Sequence, residues 1–189
     1  MWDTQSKRIR DFSSSVAKLD EVIADLNNIL QVRLKLNEKK ELVHFSTLVN
    51  DIHLSIAAFF EKEKAVVVWD FSEVDEMLTI KSYLHSIFYN LISNSLNYHQ
   101  PDIPPVIEIK SRKLNDKIEL VFKDNGMGID LKKNGNRVFG LYKRFHSKST
   151  EGKGMGLYMV KTQVESLGGK ISIESEVNKG TTFKIEFKI

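Results

Sequence analysis

The sequence contains no cysteine. That excludes disulfides, thiolate metal sites and a cysteine nucleophile, and it suits a reducing compartment. No apolar run approaches the roughly 20 residues of a membrane span. The stretch 65–69 has only the length of a strand. Residues 1–11 are charged and hold no apolar core of a signal peptide. A surplus of one charge is missing too. Lys and Arg number 28 and Asp and Glu 25, which leaves +3. That is too little by itself to indicate a nucleic acid or a membrane surface as partner. Neither internal repeats nor low-complexity segments interrupt the 189 residues. What is present is ordinary globular material, 41% hydrophobic and 28% charged, enough to build a core. The length suits one domain with an appendage.

The appendage comes first. Phe12, Val16, Leu19, Ile23, Leu26 and Leu30 are separated by 4, 3, 4, 3 and 4 residues. This is the spacing of a heptad seam on a long helix over 7–36. Val22, Ile29 and Leu36 recur every 7 residues and widen the apolar face. Such a seam packs against another helix, or lies as a stripe on a globular domain. A polar junction follows, so we expect an N-terminal helix within 1–37 and a second domain over 38–189.

In the second domain, 41–45 reads as a short strand. Ser46 can cap a helix running to about 62, with Leu48, Val49, Ile52, Ile56 and Phe59 inward. Strands follow at 65–69 and 78–80, then a helix over 81–97 that ends before Pro101. The stretches 106–111 and 117–124 read as strands around the turn Asn115-Asp116. Residues 130–152 are polar and basic, the character of a long functional loop. A helix over 157–167 stops at Gly168-Gly169, and 171–175 with 181–189 make a closing hairpin. The strands alternate apolar with charged residues, whereas strands covered on both faces read as continuous apolar runs. The expected class is therefore α+β. It is a two-layer α/β sandwich, a mixed sheet with helices on one face, preceded by the long helix. A doubly wound dinucleotide fold does not fit.

Ile118, Leu120 and Phe122 share one face of their strand, and Asp124 continues their parity. A carboxylate thus aims toward the apolar side, where it needs donors from backbone, water or a ligand. Gly126 and Gly128 follow, and glycine permits positive φ and close approach to a flat ligand. Taken alone, Asp124-Asn125-Gly126-Met127-Gly128-Ile129 equally suits a hairpin turn.

Asn90, Asn94 and Asn97 are spaced four and three, on one face of the helix 83–97. Ile87, Phe88, Leu91 and Ile92 take the other directions. Asparagine is a poor interior helix former. Its oxygens suit Mg²⁺, most of whose ligands are phosphate oxygens and water. A solvated helix face would read the same way. Tyr98 ends the stripe with a ring able to lie against a nucleotide. Gly152-Lys153-Gly154-Met155-Gly156-Leu157 stands just before a helix. There, bared N–H groups and the helix N-terminus can cradle phosphate. The run has neither the dinucleotide glycine spacing nor a Walker A pattern. Lys132, Lys133, Arg137, Lys143, Arg144, Lys148 and Lys153 crowd the loop between the glycine motifs and fit a polyanionic ligand. Most single lysines of this kind are solvated surface charges.

Jointly these features resemble the catalytic and ATP-binding domain of sensor histidine kinases, in the GHKL (Bergerat-fold) ATPase superfamily. The resemblance runs from about 38 to 189 and follows the family's motif order. Asn90-Leu91-Ile92-Ser93-Asn94 resembles the N box, and Asp124-Asn125-Gly126-Met127-Gly128 the first glycine box. Val138-Phe139 through Arg144-Phe145 resembles the F box. Gly152-Lys153-Gly154-Met155-Gly156-Leu157 resembles the second glycine box, and Gly180-Thr181 the closing Gly-Thr.

The resemblance implies roles at the matched positions. Asp124 would accept the adenine amino group, and Tyr98 would flank the adenine or ribose. Asn94, with Asn90, would hold Mg²⁺ against the phosphates of ATP. Arg144 would reach the terminal phosphate as the loop closes. The glycines of 152–156 would border the phosphates. Many such kinases carry lysine just before the tyrosine. Asn97 stands there in this chain, so Lys143 or Lys153 would have to supply that contact.

The helix over 7–36 resembles the second helix of the family's dimerisation and phosphoacceptor hairpin. None of His44, His53, His85, His99 and His146 is followed by a His-Glu-Leu-Arg-x-Pro type sequence. All five are expected to be structural or incidental. The chain therefore looks like part of a longer kinase. The implied partners are its phosphoacceptor helix, a second copy through the N-terminal helix, and a response regulator receiver domain. No nucleic acid or membrane partner is expected for this stretch, and its place is cytoplasmic even where the longer protein is membrane-anchored. Two other classes fit the sequence less well. Hydrolases of the gyrase or MutL type need a carboxylate four residues before the metal asparagine, and Asn90 occupies that position. A non-catalytic nucleotide switch would be favoured only by Asn97.

Overall fold

The structure, a computed structural model, describes residues 39–141 and 154–188. The expected N-terminal helix and its seam lie outside the described residues. Alternation at period two builds the main sheet. Its five strands run in the order β2 (Val66–Asp70), β4 (Val106–Leu114), β5 (Lys117–Asp124), β7 (Gly180–Lys188) and β6 (Lys170–Glu176). β2 lies parallel to β4 and the other neighbours are antiparallel, so the sheet is mixed. The register sets Ile109 beside Phe122, Phe122 beside Phe183, and Phe183 beside Ile173, a continuous apolar row. The intervening positions carry charge pairs such as Lys123–Glu108 at 3.2 Å and Lys117–Glu186 at 2.7 Å. A second, two-stranded sheet pairs β1 (Glu41–His44) with β3 (Glu76–Thr79).

The helices are α1 (Phe45–Ser55), α2 (Ala57–Glu63), α3 (Lys81–Asn97), the single-turn α4 (Leu131–Asn134) and α5 (Gly156–Ser166). Apolar residues of α1, α3 and α5 share one core with the buried residues of β4, β5 and β7. The Phe88 ring of α3 ties the layers together. It lies 6.1 Å from Phe45 of α1 and 4.8 Å from Phe122 of β5. No described helix is long and apolar enough to cross a membrane.

Three sequence expectations need correction. The helix expected from Ser46 to about 62 is two helices, and Ser46 does not cap it. Asp75, from the loop before β3, does so. Its carbonyl accepts the Phe45 N–H at 2.7 Å and its Oδ1 accepts the Ser46 N–H at 2.8 Å. The Ser46 hydroxyl donates to Asp75 Oδ2 at 2.6 Å. The helix breaks at Ile56 (φ −123°, ψ 27°). Just before it, the Ser55 hydroxyl donates to the Ile52 carbonyl at 2.8 Å and competes with the helical ladder. Thirdly, the stretch expected as a loop from 130 begins with α4 and a 3₁₀ turn, Gly135–Arg137. Asp130 caps α4, accepting the N–H groups of Lys132 and Lys133.

Candidate functional site

Asp124 ends β5, and its side chain is fixed by three elements. Oδ1 accepts the Gly126 N–H at 2.8 Å and the Thr181 N–H, from the start of β7, at 3.1 Å. Oδ2 has the Ser95 hydroxyl of α3 at 3.4 Å. Burial pushes the carboxyl above its ordinary 3.8, and these hydrogen bonds to the ionised form pull the other way. The hairpin-turn alternative for the motif is removed, because β5 pairs with β4 and β7 and the chain leaves it toward α4. Gly128 has φ +62°, and a Cβ there would run into the Glu176 carbonyl. At Gly126 a Cβ would lie 2.6 Å from the Tyr98 carbonyl oxygen. Both glycines are therefore demanded by close backbone approach.

The asparagine face of α3 meets the start of α5. A Cβ on Gly156 would fall 2.8 Å from Asn90 Oδ1 and 3.7 Å from Asn94 Nδ2. Asn90 Nδ2 donates to the Ser86 carbonyl at 2.8 Å and stands 3.3 Å from the Ser86 hydroxyl, which leaves Oδ1 as the atom facing the glycine. Tyr98 caps the C-terminal end of α3, and its carbonyl accepts the Met127 N–H at 2.8 Å. The one helix α3 thus joins two groups of site residues: Asn90, Asn94 and Gly156, and then Tyr98, Asp124, Gly126, Gly128 and Thr181. Gly154 has φ +72°, and Leu157 packs against the core. Lys143, Arg144, Gly152 and Lys153 lie outside the described residues, as does His146. The other histidines have structural neighbours. His44 faces Glu76 at 3.4 Å, His53 packs on Phe60, His85 stacks on Tyr89, and His99 lies beside Glu63.

Four supporting residues have no role assigned from the sequence. Ser95 is off the asparagine stripe, and its only sequence signal is its place beside Asn94. Asn125 Oδ1 accepts the Val106 N–H at 2.8 Å and Nδ2 donates to the Pro104 carbonyl at 3.1 Å. Gln100 Nε2 donates to the Asn125 carbonyl at 2.7 Å. Ser175 accepts the Ile129 N–H at 2.8 Å and contacts Thr181 Oγ1 at 2.9 Å.

Residues 79–189 match the family described as histidine kinase-, DNA gyrase B-, and HSP90-like ATPase. The chain belongs to this family. The matched stretch runs from the end of β3 through β7 and takes in both groups of site residues. Among relatives of this chain, sensor protein SrrB of Staphylococcus aureus is 29% identical over 188 residues, 96% of this chain and 30% of its own. Cyanobacterial phytochrome A of Nostoc sp. is 35% identical over 101 residues, 53% of this chain and 13% of its own. The chain thus spans less than a third of either relative. A structure of full-length ShkA in complex with AMPPNP superposes with a TM-score of 0.75 at 16% identity, over 92% of this chain and 36% of that one. At that identity the likeness concerns the fold.

Proposed function

We propose that this chain is the ATP-binding catalytic part of a two-component sensor histidine kinase. It would pass the γ-phosphoryl group of ATP to a histidine on a phosphoacceptor helix of the longer protein. The observation that carries the reading is the Asp124 carboxylate. Two backbone N–H groups occupy Oδ1, while among the described residues Oδ2 has only a long contact to Ser95 and retains acceptor capacity. A carboxylate so held suits an adenine amino group, with Tyr98 flanking the base or ribose.

The phosphate side fits the same ligand. Gly156 is bare where a side chain would fill the space before Asn90 and Asn94. The start of α5 can offer N–H groups to phosphate there, and Gly152, Gly154 and Leu157 would border it. Among the described residues no group of three or more His, Cys, Asp or Glu is arranged to hold a metal. Mg²⁺ would be held by Asn90 Oδ1, which faces Gly156, and by the side-chain oxygen of Asn94 from the same helix face, together with the phosphates of ATP. When bound it supplies neutralisation of phosphate charge. Lys143, Arg144 and Lys153 would add cations from the loop between the glycine motifs, and Thr181 would hold Asp124. Asn90 cannot take a proton from water, which favours transfer to a histidine over hydrolysis.

The helix over 7–36 would pair with a second copy and with the phosphoacceptor helix, and 38–189 would be the catalytic unit. A receiver domain would take the phosphoryl group next, in the cytoplasm. Calorimetry with ADP and Mg²⁺ tests the core of the reading. Asp124→Asn replaces a charged acceptor with an amide that brings its own donors. The lost bond to a charged group is worth about 1.5–3 kcal/mol, so affinity should fall by about ten- to a hundredfold or more. Equal affinity for wild type and variant would refute the assignment of Asp124.

A further inference from the structure

Gln100 stands outside every motif named above, yet its side chain reaches into the first glycine motif. Its Nε2 donates to the Asn125 carbonyl at 2.7 Å. That carbonyl belongs to the same peptide unit as the Gly126 N–H, which donates to Asp124 Oδ1 at 2.8 Å. One rigid plane therefore carries both bonds. We infer that Gln100 is a positioning residue for base recognition. It locks the 125–126 peptide plane and so holds the Asp124 carboxylate in the orientation that reads an adenine amino group. This rests on the nucleotide reading proposed above.

The plane needs an external lock. A peptide plane turns through ψ of the residue before it and φ of the residue after it. Here the residue after is glycine, which has the fewest barriers in φ. Stiffening by a side chain is closed off, since a Cβ on Gly126 would lie 2.6 Å from the Tyr98 carbonyl oxygen and 2.9 Å from Asp124 Oδ1. A turned plane would withdraw the N–H from Asp124 and present a carbonyl oxygen in its place. The flanking groups are secured without Gln100. The Asn125 side chain is bonded to Val106 and Pro104, and the Met127 N–H to the Tyr98 carbonyl. None of these bonds grips the Asn125 carbonyl itself. Gln100 acts from firm ground, two residues past the C-cap of α3. His99 before it contacts the Leu96 carbonyl at 2.7 Å and Glu63 at 3.5 Å.

The test compares ADP with inosine diphosphate, each with Mg²⁺, by calorimetry on the full 189-residue chain. Inosine presents a 6-oxo acceptor where adenine presents an amino donor, so an oriented Asp124 rejects it. The proteins are wild type, Gln100→Ala and Gln100→Glu. In Gln100→Ala the loss of one hydrogen bond should weaken ADP by about three- to tenfold, with inosine diphosphate affected less. The preference for ADP should then shrink by about the same factor. Gln100→Glu sets a carboxylate against the carbonyl and should shrink it further. The preference is a ratio, so it does not depend on what fraction of a variant is folded. A merely structural role would weaken both nucleotides equally. Equal weakening, or no change in either variant, would overturn the inference while leaving the nucleotide reading intact. A wild-type chain with no preference for ADP would overturn both.

Discussion

Asp124 is held above its ordinary 3.8 by burial, against three hydrogen bonds that favour its ionised form. Two pH dependences of opposite sign follow. The folded chain keeps this proton at pH values where the unfolded chain has lost it. Between 3.8 and the raised folded value the native state binds more protons, so the contribution of Asp124 to stability falls as pH rises across that window. Above the window the contribution stays constant. Nucleotide recognition runs the other way, because an ionised carboxylate is the stronger acceptor. ADP affinity should therefore drop as pH is lowered through the folded value, and the drop should be absent in Asp124→Asn. Calorimetry across the acidic range, with circular dichroism to confirm folding at each pH, measures this. An identical pH profile in the variant would mean that another group controls binding.

Asp75 shows what an element owes to a residue outside it. α1 begins at Phe45 without a side-chain cap of its own, and Asp75 supplies the missing acceptors from 29 residues away. Loss of such a cap costs about 0.5–2 kcal/mol. Asp75→Ala should lower the urea midpoint accordingly, and Ser46→Ala should lower it less, because the backbone bond to Oδ1 survives. Matching midpoints for Asp75→Ala and wild type would show the cap to be idle. The sequence reading failed here for a physical reason. Period and capping rules are local, and they recovered α3 to the residue and the core parity of Ile118, Leu120 and Phe122. They cannot see a carboxylate brought in by a distant loop. The site divides the same way. Asp124, Gly126, Gly128 and the asparagines stand in local patterns and were legible. That Gly156 faces Asn90, and that Gln100 reaches Asn125, depends on packing between distant segments.

At the scale of the whole chain, binding ATP and using it are separable. Phosphoryl transfer needs a nucleophile held in line with the terminal phosphate. The chain has five histidines, and none is followed by a phosphoacceptor-like sequence. Of the described ones, His44 faces Glu76, His53 packs on Phe60, His85 stacks on Tyr89 and His99 contacts the Leu96 carbonyl. Water is the remaining nucleophile. The family resemblance puts Asn90 where hydrolases of the gyrase or MutL type need a carboxylate; asparagine is no general base, and its amide nitrogen is committed to Ser86. A missing general base lowers a rate by roughly 10²- to 10⁴-fold. The 189-residue chain alone should therefore bind ATP yet neither label itself nor release phosphate at an appreciable rate. Joining a phosphoacceptor helix upstream in cis should restore labelling, whereas Asn90→Glu should raise only hydrolysis, and modestly. Incubation with γ-labelled ATP, followed by separate assays of acid-labile protein phosphate and free phosphate, distinguishes these outcomes. Stoichiometric label on a resident histidine, or vigorous phosphate release by the unmodified chain, would mean that the nucleophile or the base lies elsewhere in the sequence.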